Sequence, residues 1–188
     1  MDEVIHENNR LEKLLEFKRK LVYRSMVANV TGRNPFQWNS ALIIDKGAED
    51  CTSGEDGARV CVEQGMPVVN SWGVLGKVAD TDEHLAKVIM LTDPQFRVAA
   101  LVQRTRESVL VTGSLQGNCR IRYVSENNDI QVGDKIVTSK LSSSFPENLY
   151  IGDVVEIHDK GGQNEYIVEP AVNFSQIEEV LIILTDSL

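Results

Sequence analysis

GMPVVNSWGVLGKVADTDEHLAKVIMLTDPQFRVAALVQRTRESVLVTG, residues 65–113, is the stretch on which the fold turns. Val68-Val69, Val74-Leu75 and residues 88–91 and 98–102 are apolar or β-branched runs. Gly65, Gly73, Gly76 and the pair Asp93-Pro94 stand between or beside them. Short runs of this kind, bounded by Gly and Asp-Pro, read as strands joined by turns or bulges. GVLGK at 73–77 lies inside that pattern and not ahead of a helix, so it reads as a bulge or strand crossing and not as a phosphate loop.

Working outward, IQVGDKIVTSK (130–140) and FPENLYIGDVVEI (145–157) have the same character. Strand-like segments also fall at 40–45, 108–112, 119–124, 163–168 and 179–184. Many short strands at this spacing predict barrels or sandwiches. The triplets Val132-Gly133-Asp134 and Ile151-Gly152-Asp153 look alike, but Gly-Asp is an ordinary turn pair, and no convincing tandem repeat emerges.

Toward the N-terminus, residues 2–26 read as a helix. Val4, Leu11, Leu14, Leu15, Leu21 and Val22 fall at three-to-four spacing, and Glu16 is placed to pair with Lys20. Lettered as heptads, the stripe runs Val4, Asn8, Leu11, Leu15, Lys18, Val22. Asn8 and Lys18 are polar residues at core positions, which fix register and lower stability in a coiled coil. A helix laid on its own β-domain fits the residues as well. Gly32-Arg33-Asn34-Pro35 is a stop and turn.

The 188 residues suffice for one large or two small domains. The longest apolar runs, such as 180–184, have five residues, far short of a membrane span. Asp2, Glu3 and Glu7 stand where a signal peptide would be basic and apolar, so the chain as given is expected to be soluble. The net charge of −9 is uneven: residues 105–188 hold six Lys/Arg against thirteen Asp/Glu. That balance argues against nucleic acid, whose recognition needs clustered Lys/Arg. It favours solubility, or a basic protein partner.

Cys51 and Cys61 flank the loop CTSGEDGARVC. A bond between them would be worth roughly 3 kcal/mol in the chain-entropy picture and needs an oxidising compartment. Two free thiols on a flexible loop is the other reading. Cys119 has no evident partner. His6, His84 and His158 lie on the helix, in a polar turn and at a strand end, and no Gly-x-Ser-x-Gly accompanies the serines at 139 and 142–144. No metal-ligand spacing is present. Neither a catalytic, a metal nor a cofactor-binding set is expected. Protein–protein interaction remains, with Phe145, Leu149 and Tyr150 as an aromatic-apolar contact on a turn-rich segment, although a plug closing the second barrel is the reading these residues favour.

The ordered pattern GMPVV…GVLGKV…VIMLTDP…RVAALVQR…IQVGDKIVTS…FP…IGDVVEI resembles MreC, the bacterial rod-shape-determining family, over residues 31–184. The segments at 138–143 and 145–148 depart from the family's TSGLGG and FPKG patterns. The resemblance implies a mainly β protein: a coiled-coil-like N-terminal helix (1–27), then two small six-stranded-type β-barrels (28–104 and 105–188), with the last strand able to return to the first barrel. It implies a non-catalytic scaffold of the elongation complex, a dimer or filament paired through Leu11, Leu15 and Val22. It would lie on the periplasmic face of the inner membrane, anchored by a transmembrane helix absent from this chain. Implied partners are a class B penicillin-binding transpeptidase, RodA, MreB and MreD, with no cofactor. A periplasmic compartment would let Cys51 and Cys61 bond. The alternatives are a periplasmic protease-like hydrolase using the two barrels, or a peptidoglycan-binding module with Trp38 and Trp72 as platforms.

Overall fold

Side chains alternate inward and outward along the strands, and rolling each sheet closed removes the inward set from water. In the computed structural model, which describes residues 2–54 and 56–185, the result is one helix followed by two closed six-stranded barrels. The chain runs α1 (Asp2–Lys20), β1 (Ser25–Arg33), β2 (Ala41–Ile44), β3 (Cys51–Ser53), β4 (Arg59–Cys61), β5 (Pro67–Val69), β6 (Val74–Thr81) and β7 (Ala86–Met90). It continues β8 (Arg97–Val102), β9 (Ser108–Gly113), β10 (Cys119–Arg122), β11 (Lys135–Thr138), β12 (Tyr150–Asp159), β13 (Asn164–Pro170) and β14 (Glu179–Ile183). The first barrel is ordered β1-β14-β5-β6-β7-β2, the second β10-β13-β12-β11-β8-β9, and β3-β4 is a separate ribbon.

Two sequence-based boundaries shift. The helix ends at Lys20, not near residue 26, and Ser25–Arg33 is a strand paired on both sides, with β14 and β2. Lys18, Arg19 and Lys20 in the last turn suit the negative end of the helix dipole, and Val27, Val30 and Thr31 suit a strand. The barrels divide between Met90 and Arg97, not at 104/105, because β8 pairs with β9 and β11 of the second barrel. Strand β14 sits between β1 and β5, so the chain's end closes the first barrel. Met1 and residues 186–188, the extremes of the expected 1–27 and 105–188 segments, lie outside the described residues.

Alternation sends Val68, Val180 and Ile182 into the first barrel's core. Their neighbours Val69, Leu181 and Ile183 point out of it and join the core of the second barrel, with Val74 and Leu91. The apolar run at 180–184 is continuous because this strand is buried on both faces.

The two barrels share one pairing scheme. Pro67, Val68 and Val69 face Lys77, Gly76 and Val74, as Lys135, Ile136 and Val137 face Asp153, Gly152 and Tyr150, with the bulge at the same step. Gly76 faces Met90 and Gly152 faces Pro170. Leu181 faces Val69 and Val27, as Leu101 faces Val137 and Ser108. Val30 faces Ile44 and Ile44 faces Ala86, as Val111 faces Ile121 and Ile121 faces Tyr166. The structure is therefore an internal repeat in which β14 plays in the first barrel the part that β8 plays in the second.

Candidate interaction surfaces

Helix α1 lies on its own β-domain. Leu14 is buried in the core that joins the barrels, with Phe17 and Leu21 packed against it. Arg10 holds Glu179 of β14 by two bonds, Nε to Oε2 at 2.6 Å and Nη2 to Oε1 at 2.8 Å, and Glu178 at 2.9 Å. Of the residues expected to pair helices, Leu11 is half-buried and Leu15 is 49% exposed. Val22 is 93% exposed but lies beyond the helix end, so the three do not form one helical stripe. Val4 and Leu15 are the exposed apolar heptad positions left on α1.

The aromatic segment behaves as a plug. Phe145 is buried with its ring edge-on to Phe96, centroids 6.0 Å apart, and Leu149 is buried in the same cluster. Thr138 pins the segment: its N–H donates to the Leu149 carbonyl at 2.8 Å and its hydroxyl to the Pro146 carbonyl at 2.6 Å. The expectation that Phe145 and Leu149 meet a partner is corrected, because barrel closure removes both from the surface. Tyr150 stays partly exposed, with the Lys135 ammonium 4.9 Å from its ring centroid. Its backbone meets the first barrel: a Cβ at Gly73 would come 2.4 Å from the Tyr150 carbonyl oxygen.

Among the described residues no hydrogen bond joins a histidine to a Ser or Cys side chain. His84 Nδ1 is 3.3 Å from Asp50 Oδ2, and His158 Nε2 is 2.7 Å from Glu156 Oε2. A hydrolase needs its base against a Ser or Cys; here Nε2 of His158 meets a carboxylate, and so do both nitrogens of His84, its Nε2 lying 3.8 Å from Glu49 Oε2. Cys119 is buried, its Sγ 3.4 Å from the Leu91 carbonyl, and burial pushes its thiol up to about 12, the reverse of an activated nucleophile. Cys51 and Cys61 face each other across β3-β4 and are bonded. Among the described residues no cluster of three or more His, Cys, Asp or Glu comes together to hold a metal ion, and no helix is long and apolar enough to cross a membrane.

One surface escaped the sequence reading. On the outer face of β8-β9-β10 the pairing sets Arg97, Thr112 and Arg120 in one row and Ala99, Leu110 and Arg122 in the next. Exposed Leu115 and Tyr123 flank these rows, and the groove between them has a volume of about 720 Å³. The signal in the sequence was the alternation Arg120-Ile121-Arg122, which puts two guanidiniums on one face of a strand.

Comparison with known proteins places this architecture. The family model for "Rod shape-determining protein MreC, barrel core" matches residues 30–184. The cell shape-determining protein MreC of Listeria monocytogenes is 27% identical over 185 residues, covering 94% of this chain and 59% of the relative. The chain spans about two fifths to two thirds of the length of the curated relatives it matches. A solved structure described as MreC superposes with a TM-score of 0.83 at 26% identity, covering 96% of this chain and 98% of that one. A structure described as the complex between Penicillin-Binding Protein (PBP2) and MreC from Helicobacter pylori shares the fold, with a TM-score of 0.63 at 10% identity over 86% of this chain and all of that one.

Proposed function

The chain belongs to the MreC family of rod shape-determining proteins, and from that premise we propose that it is a non-catalytic scaffold of the cell-elongation complex, self-associating and binding peptidoglycan synthases in the periplasm. One observation carries the reading: inside a family fold, His84 and His158 sit against carboxylates and Cys119 is buried, while apolar and cationic side chains are left exposed on α1 and on the second barrel. Both barrels are closed, so a partner meets side-chain faces and not barrel strand edges. The Helicobacter pylori relative is described in complex with PBP2, which supports a class B transpeptidase as partner here. RodA, MreB and MreD complete the assembly by resemblance, and a transmembrane helix upstream of α1 anchors it.

The mechanism is avidity. Pairing of α1 with a second copy through Leu15 and Val4, with Leu11 at the margin and Val22 in the connection that follows, places two synthase sites on one scaffold. That raises their local concentration without new contacts. The test is twofold. Sedimentation velocity of the whole chain should show a concentration-dependent dimer that Leu15→Asp weakens, and an immobilised chain should retain the periplasmic part of the class B transpeptidase from the same cell. A monomer that retains no transpeptidase overturns the reading.

The exposure of Trp38 and Trp72 favours a second reading, peptidoglycan binding. The Arg33 guanidinium lies 4.6 Å over the Trp38 ring and covers one of its faces, which leaves Trp72 the freer platform. Co-sedimentation with purified sacculi, lost in Trp72→Ala, would support this reading over the first.

A further inference from the structure

We propose that the outer face of β8-β9-β10 is a docking groove for an acidic amphipathic helix of a partner protein. The inference deepens the scaffold reading and rests on it only in taking the partner to be a protein. In a chain of net charge −9 this face is cationic. Arg97 and Arg122 are exposed, and among the described residues neither has an ion-pair partner. Arg120 shares Glu165 with Lys160, at 2.7 and 2.6 Å, so that corner carries two cations against one anion.

Between the guanidiniums the floor is Leu110 and Thr112. Leu115 and Tyr123, 89% and 86% exposed, stand at its margins. Tyr123 takes a left-handed backbone conformation, φ +53°, which a bulky side chain adopts only at a cost. Cationic walls, an apolar floor and exposed apolar margins together suit a ligand carrying both carboxylates and apolar side chains.

The internal repeat says what kind of segment fits. The row Ala99, Leu110, Arg122 corresponds in the first barrel to Glu179, Asn29, Asp45. That first-barrel row is satisfied. Both Asp45 oxygens accept from Asn29, at 2.7 and 2.8 Å, and Glu179 receives Arg10 from α1. The chain's own helix thus brings a cation to an acidic row and lays Leu14 beside it. On the second barrel Arg122 stands where the first has Asp45 and Ala99 where it has Glu179, and among the described residues no helix covers the row. A helix with carboxylates reaching Arg97 and Arg122 and an apolar side on Leu110, Leu115 and Tyr123 would cover this exposed row, as α1 reaches its counterpart through Arg10.

The test uses the whole chain and fluorescence anisotropy with a labelled 18-residue amphipathic peptide, Leu on one face and Glu on the other. The acidic peptide should bind in a salt-sensitive way. A peptide with Gln for Glu should bind at least tenfold more weakly, and so should the acidic peptide to Arg97→Ser/Arg122→Ser. Tyr123→Gly, which suits the backbone there, should also weaken binding, and all variants should keep the wild-type Tm. Equal binding of the two peptides, or full binding by the double Arg variant, overturns the inference. So does binding of phosphatidylglycerol vesicles but not peptide, which would make the face a membrane contact. Arg97- and Arg122-dependent self-association without peptide would give the face to a second copy and overturn it too. If the acidic peptide fails to bind while the chain still retains the transpeptidase, the scaffold reading stands and only this face is withdrawn.

Discussion

Arg104 clasps the loop that follows β10. Its guanidinium donates to both oxygens of Asp134, at 2.7 and 2.9 Å, and to Asp129 Oδ2 at 2.8 Å. Asp134 is buried and also accepts the Gln131 N–H at 2.9 Å. Arg104 holds both carboxyls below the usual carboxylate range. A carboxyl lower in the folded than in the unfolded chain stabilises fully above its ordinary pKa of about 4 and loses that contribution as pH falls through its folded value. Arg104→Ala should therefore lower Tm at pH 7, and its gap from wild type should narrow below about pH 3. A gap unchanged with pH would remove the carboxylates from the account. A second residue-scale expectation concerns Gly76 and Gly152, where a Cβ would come 2.0 Å from the carbonyl oxygens of Ile89 and Glu169. Alanine at either should cost about 2–3 kcal/mol in urea unfolding, and the two costs should be alike because the register is shared. Cys119 should resist iodoacetamide in the native chain at pH 8 and react in urea.

At the scale of elements, α1 separates packing from association. Leu14→Ala removes a buried side chain and should cost about 2–4 kcal/mol. Leu15→Ala changes an exposed position and should stay within about 0.5 kcal/mol while weakening the dimer in sedimentation. If both were silent for folding, the helix would not be docked as described. The three-to-four spacing of α1 was legible in the residues, but which stripe meets a surface was not. Adjacent leucines point about 100° apart around a helix, and the heptad lettering chose Leu15 where the β-domain takes Leu14. The helical pattern runs on through residue 26 because Ser25 and Met26, the first residues of β1 (Ser25–Arg33), carry little local preference. Pairing with β14, from the far end of the chain, makes this segment a strand.

The whole molecule depends on its last strand. Because β14 closes the first barrel, a chain ending at residue 178 should keep the second barrel and lose the first. Hydrogen exchange would show protection lost in β1, β2 and β5–β7 and retained in β9–β13; protection lost everywhere would mean the barrels fold as one unit through their shared core. By itself the sequence determined the β class, the turn positions and a helix near the start, because each lies in neighbouring residues whose spacing repeats every two or every three to four positions; the family resemblance lay in its ordered motifs. Only the tertiary structure decided the rest: β14's return, the burial of Phe145 and Leu149, the repeat between the barrels and the arginine rows on β8–β10. Those arise where strands far apart in the chain are set in register, and the free energy that sets them comes from closing two barrels over a shared core, which no local pattern records.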